Sequence, residues 1–381
     1  MSNLTEYLKR HQLIAYFVLT YVLTWALLIL FQPLFLEGQK FLAPLISLGI
    51  FAPALVSIGL SAIINPRPRQ GSRKPAVIAF IVVWILASVI ITTNLIVLDK
   101  MDLSTPLVVV SMITGLLPAF VASSVFSKIP GVRSHLRTYI KPKGAFGYYL
   151  LALVLFPAIW LLGNVLSRAL GMGVPISSYP VDVNLLGMII LSFLYNIAYS
   201  ALSEEPGWRG FALPRLQAKF NPLASSLILG VLWAVWHAPG RFGGVEAKSV
   251  SDTLVEWVLI VLVTVIFTWI FNRTKGSILV TALLHPAMNA TTKYLTGSLG
   301  ALLLLFLFMI FVVVLDKMWR KLPADNPAIY QKSLQAAEQS VLRTRIVSFR
   351  ENGSLSCDLD EMHWTLVILP HIRALFPGLA R

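Results

Sequence analysis

The feature that most limits how this chain can fold is a succession of apolar runs, each about 17–23 residues long, recurring as far as Leu315. A helix rises about 1.5 Å per residue, so each run is long enough to cross the ~30 Å hydrocarbon core of a bilayer. The runs fall at 13–31, 41–64, 76–98, 106–126, 145–166, 185–212, 222–239, 254–271, 277–292 and 298–315. In lipid every backbone polar group must be paired within the protein, which leaves closed barrels and helices, and runs of this length are helices. Composition agrees: 57% of the 381 residues are hydrophobic and 13% are charged, against about half and a quarter in soluble domains. The expected fold is an all-α polytopic transmembrane bundle of about 8–10 spans with a cytosolic C-terminal tail.

The net charge of +14 does not indicate nucleic acid, because no basic stripe with interleaved aromatics occurs. The basic residues sit in alternate loops instead. Lys9 and Arg10, Arg67 to Lys74, Lys128 to Lys143, Arg209 to Lys219, Arg273 and Lys275, and Lys317 to Lys321 fall on one side. The positive-inside rule then puts both termini in the cytoplasm, as expected of an integral protein of a bacterial plasma membrane. Leu13–Phe31 lacks a small-residue cleavage site and reads as the first span rather than a signal peptide. A single cysteine, Cys357, excludes an intramolecular disulfide and any cysteine-based zinc cluster. The C-terminus, "GLAR", carries no lipidation cysteine.

There is no internal repeat. Residues 1–180 carry almost no charge within their spans and read as scaffold, 185–315 as a catalytic bundle, and 322–381 as a polar, partly helical cytosolic tail. Ionisable groups in the body of spans are confined to the second segment: Glu204 and Glu205, His237 and His285, with Glu256 at the edge of its span. Such groups cost roughly 2.5–3.5 kcal/mol each in hydrocarbon and usually face a shared cavity. Helical spacing relates them. Glu205 and Arg209 stand four apart and can pair; His285 and Asn289 share a face for the same reason. Glu204 and Glu205 point about 100° apart, so only one carboxylate can face the cavity while the other neutralises Arg209. A carboxylate beside an imidazole can hold and deprotonate water, and a second imidazole and a carboxamide can donate to a developing oxyanion.

These residues resemble the CAAX protease and bacteriocin-processing (CPBP, or Abi) family of intramembrane endopeptidases. Glu204, Glu205 and Arg209 match its first motif, Trp233 and His237 its second, and His285 and Asn289 its third. The resemblance covers about 190–300. It departs from the pattern at Pro206-Gly207 and at Trp233, where phenylalanine is commoner.

What the resemblance implies is a type II CAAX prenyl endopeptidase mechanism. Glu204 and His237 would activate water, and His285 with Asn289 would form the oxyanion hole, with Glu205, Arg209 and Trp233 in support. The substrate would be a membrane-associated peptide or protein, of prenylated CAAX type or a bacteriocin-like precursor, with no nucleic-acid partner. Zinc, if used, would have Glu204, His237 and His285 as ligands; a glutamate-activated water without tightly bound zinc is the preferred expectation. The alternative is a non-catalytic membrane immunity or regulatory protein of the same family. A proton transporter would favour inverted repeats, which the chain lacks. For the groups to meet, the sixth span must continue through Arg209 to about Leu213, with Pro206 as a kink, and the cavity is expected to open at the basic loops.

Overall fold

The computed structural model describes residues 3–330 apart from Arg69 and Ser178; Cys357 and residues 331–381 of the tail lie outside the described residues. Among the described residues every regular element is helical. In chain order they are α1 (Asn3–Arg10), α2 (Gln12–Leu36), α3 (Ala43–Ile50), α4 (Ala52–Ile64), α5 (Lys74–Val97), α6 (Thr105–Ser124), α7 (Pro130–Leu136) and α8 (Gly147–Ala169). They continue with α9 (Val183–Gln217), then α10 (Pro222–Trp236), α11 (Val250–Arg273), α12 (Ile278–Tyr294) and α13 (Leu299–Leu315).

Each expected span has a helical counterpart, but their lengths differ. Six helices (α2, α5, α6, α8, α9 and α11) are long and apolar enough to cross a membrane, and the bent pair formed by α3 and α4 makes a seventh. That pair bends by 49° where Pro53 sits in the first turn of α4, consistent with the break proline imposes. The helices α10, α12 and α13 have only 15, 17 and 17 residues. At 1.5 Å per residue they reach about 22–26 Å, so the about 8–10 expected spans appear as six or seven full-length crossings and three shorter helices.

Helix starts follow from capping side chains. The Asp182 carboxylate accepts from the amides of Asn184 and Leu185 to open α9, Asn221 from Ala224 to open α10, and Ser249 from Asp252 to open α11. In packing, α5 pairs chiefly with α6 and α10 with α11, while α12 lies between α8 and α9 and α13 lies on α8. A side chain added at Gly163 of α8 would collide with the backbone of Ala301 on α13; small residues let the two backbones touch, the usual device where lipid gives no hydrophobic drive to helix association. The principal core runs through α2, α8 and α9–α13.

The ninth helix crosses as one 35-residue element, reaching beyond the expected end near Leu213. It contains two π-helical turns, Ile197–Ala201 and Pro206–Ala212. Pro206 has no N–H to give the Leu202 carbonyl, so the ladder shifts register there without ending the helix. Residues 323–330 fold back on the basic end: Ala328 is buried, its carbonyl accepts from Gln217, and the Tyr330 amide donates to the Pro214 carbonyl.

Candidate active site

The site lies where α9, α10 and α12 meet. Gly210 of α9 packs on Ile278 of α12, and counting up each helix at about 1.5 Å per residue brings Glu205 and His285 to about the same level. The extended ninth helix thus carries its carboxylates into the bundle. Glu204 and Glu205 are 5% and 0% exposed.

Their surroundings differ as neighbours on a helix must. Glu205 Oε1 accepts from Arg209 Nη1 at 2.9 Å, both side chains fully buried, and lies 2.8 Å from His285 Nδ1. The guanidinium stands 4.1 Å from the Trp233 ring and 4.2 Å from the Phe267 ring. Its Nε and Nη2 have no hydrogen-bond partner, and these aromatic contacts supply part of the stabilisation that hydration would give. The expected Glu205–Arg209 pair is therefore present. The contact of Glu205 with His285 was not expected, because nothing in the spacing links residues on different helices.

Glu204 has a different set of partners. Its Oε2 accepts from the Trp233 indole at 2.5 Å and the Trp208 indole at 3.2 Å, and among the described residues no donor is bonded to Oε1. Trp208 is held by tight contact of α9 with its neighbours, since a side chain at Gly207 would strike the Tyr16 hydroxyl and the Pro53 carbonyl. Trp233 was expected only as a family-pattern aromatic; its role as a donor was not foreseen.

His237 caps the C-terminus of α10 and also opens the separate helical turn Ala238–Arg241, with Pro239 in its first positions. Its Nδ1 donates to the Trp233 carbonyl at 2.8 Å. A carbonyl only accepts, so this contact puts the proton on Nδ1 and leaves Nε2 of the neutral ring bare. Other carbonyls at this helix end are taken by Tyr21, which donates to Leu232, and Trp25, which donates to Trp236 at 3.2 Å. Beyond it Arg241 donates twice to Glu256, at 2.7 Å each, fixing the following turn to α11. Glu204 and His237 make no direct hydrogen bond; Trp233 joins them, with its indole on the carboxylate and its carbonyl on the imidazole.

The same logic applies to His285. With Nδ1–H directed to Glu205, Nε2 of the neutral ring is an acceptor. In this arrangement His285 donates from Nε2 only when doubly protonated, with Glu205 as counter-charge. Asn289, one turn further along α12, directs Nδ2 to Asn196 Oδ1 at 2.9 Å.

Exposure also differs from expectation. On the basic side of the carboxylates Trp208, Phe211, Phe267 and Phe271 are buried, whereas His237, Asn289, Asn196 and Ser200 are half-buried. The more open side of the cluster faces away from the basic loops. For zinc, no group of three or more His, Cys, Asp or Glu side chains among the described residues is placed to hold a metal ion. The set Glu204, His237 and His285 is thus not such a group.

Fold and site together define an integral membrane helix bundle in which Glu204, Glu205 and His285 are buried and His237 and Asn289 half-buried. Residues 186–291, which supply the cluster, match the family described as type II CAAX prenyl endopeptidase Rce1-like. A relative from Methanococcus maripaludis, "CAAX prenyl protease 2", is 24% identical over 174 residues, 43% of this chain and 64% of that protein. The alignment thus spans less than two thirds of the relative's length. Both likenesses fall on the part of the chain that carries the three motifs, and they are a similarity of that segment to CAAX prenyl proteases.

Proposed function

We propose that the protein is an intramembrane endopeptidase that hydrolyses a peptide bond in a membrane-associated, CAAX-type substrate. The observation that carries this reading is the setting of Glu204: a carboxylate inside the bundle, with one oxygen held by two indoles and the other without a hydrogen-bond partner among the described residues. Glu204 Oε1 accepts a proton from water as the water oxygen attacks the scissile carbonyl, and the proton passes to the leaving amine when the C–N bond breaks. His237, with its bare Nε2, accepts a hydrogen bond from the same water and orients it. Asn289 Nδ2 donates to the oxyanion, as does His285 Nε2 when its ring is doubly protonated, and Glu205 is then the counter-charge that Arg209 and His285 share, the one remaining positive charge being balanced by the oxyanion. This chemistry routes no step through zinc. The basic loops would face the cytoplasm, and the bilayer would present the substrate.

The test uses protein reconstituted in liposomes and internally quenched CAAX peptides, farnesylated and unmodified. Wild type is expected to cleave, and Glu204→Gln to lose about 10²–10⁴-fold in kcat, the range of a general base, with folded yield unchanged. Equal turnover by Glu204→Gln and wild type would overturn the assignment. Cleavage of both peptides at one rate would remove prenyl recognition from it.

A further inference from the structure

We propose that Asn196, a residue outside the three motifs, is a positioning residue that fixes which end of the Asn289 carboxamide faces the reacting carbonyl. The inference rests on the reading of Asn289 as an oxyanion donor given above. Its basis is a chain of hydrogen bonds whose polarity is set at one end. Asn196 Nδ2 donates to the Ser192 backbone carbonyl at 2.8 Å. That carbonyl can only accept, so the NH₂ of Asn196 must face it and Oδ1 must point the other way, towards α12. Two donors meet this oxygen: Asn289 Nδ2 at 2.9 Å and Ser200 Oγ at 2.8 Å.

The consequence for Asn289 is one-sided. Ser200 spends its single proton on Asn196, so it offers Asn289 only lone pairs, at 3.4 Å. A flipped Asn289 would set its own carbonyl oxygen against Asn196 Oδ1 and the Ser200 lone pairs. The network therefore excludes the flip. It ties down one N–H of Asn289 and leaves the second in a contact longer than the usual 2.7–3.2 Å range, free to transfer to a developing oxyanion. A flipped carboxamide would instead present negative charge to negative charge. Orientation of this kind acts on kcat more than on substrate binding.

The fold explains how α9 offers these groups. Ser192, Asn196, Ser200 and Glu204 recur every four residues, and the π-helical turn Ile197–Ala201 lies between Asn196 and Glu204. The widened turn keeps a four-residue stripe closer to one line than a regular α-helix would, because five residues share the hydrogen-bonded loop.

The experiment is a double-mutant cycle on reconstituted protein, with kcat and KM measured on a quenched farnesylated CAAX peptide. Asn289→Ala is expected to lower kcat on the order of 10²-fold, as for loss of one oxyanion donor. Asn196→Leu is expected to lower kcat about tenfold with KM within about twofold, and to add nothing in the Asn289→Ala background. Should Asn196→Leu not fold, Asn196→Ala gives the same readout. Wild-type kcat in the Asn196 variant, or a loss that multiplies in full with that of Asn289→Ala, would overturn the proposal while leaving the oxyanion reading intact. Wild-type kcat in Asn289→Ala would instead remove the oxyanion reading, and this inference with it.

Discussion

Helices α5 and α11 have the same length, 24 residues, and nearly the same mean hydropathy over their most apolar window, 2.7 and 2.5. Yet 11% of that window is buried inside the protein in α5 and 56% in α11. The first pairs chiefly with α6 and turns Ile78, Ile85 and Val89 outward. The second packs on α10, places Phe267 against Arg209, and anchors the turn after His237 through Glu256. Lipid tails are as apolar as a protein core, so hydropathy scores a peripheral helix and a central one alike. What separates the two is whether polar side chains on neighbouring helices depend on them.

That contrast can be broken at its strongest point. Arg209→Leu leaves Glu205 buried without its cation beside Phe267 and should cost about 3–5 kcal/mol, the range for breaking a buried pair. Folded yield and thermal melting in detergent would show it; a wild-type melt would mean the centre of the bundle is as tolerant as its edge. Trp233→Phe, on α10 against α11, keeps a ring over Arg209 but removes the indole that holds Glu204. A lost hydrogen bond to a charged group of about 1.5–3 kcal/mol corresponds to kcat about 10- to 100-fold lower, with folding retained. Unchanged turnover would separate the central packing from the chemistry.

A weaker effect is expected outside the membrane, at His135 of α7. Burial, with Arg215 nearby, holds its imidazole down to about 3, and its Nε2 lies 3.1 Å from the Ser57 hydroxyl. The folded value lies below the unfolded one of about 6.5, so the stability it contributes is present above pH 6.5 and is lost as pH falls from there towards 3. His135→Gln should flatten that acid-side loss in melts recorded between pH 7 and pH 4; an unchanged slope would assign it to other groups. The smallest effect belongs to α5. Ile85→Ala, on its outward face, should shift stability by no more than about 0.5 kcal/mol, and a loss as large as that of Arg209→Leu would show that this face is covered.

Much of the site was legible because it follows from positions within one helix. The Glu205–Arg209 pair needs only a four-residue spacing, and the divergence of Glu204 from Glu205 needs only the 100° turn per residue. The continuation of α9 past Pro206 could be argued from the depth at which the other groups had to meet. The stripe Ser192, Asn196, Ser200, Glu204 was also present in the sequence and would have pointed to Asn196, since four polar residues at one spacing are unusual in an apolar span.

What the sequence determined by itself was the helical class, the order of the membrane-crossing runs, and the segment between Glu204 and Asn289 in which the ionisable groups collect. Backbone pairing in lipid leaves little choice about the first two, and the cost of burying charge restricts the third. Only the tertiary structure decided that His285 meets Glu205, that two indoles share one oxygen of Glu204, and that Asn289 leans on Asn196. Each of these contacts joins side chains on different helices or across a π turn. Their formation depends on the relative depth, rotation and close approach of packed helices, which side-chain shape sets and a periodic pattern does not record.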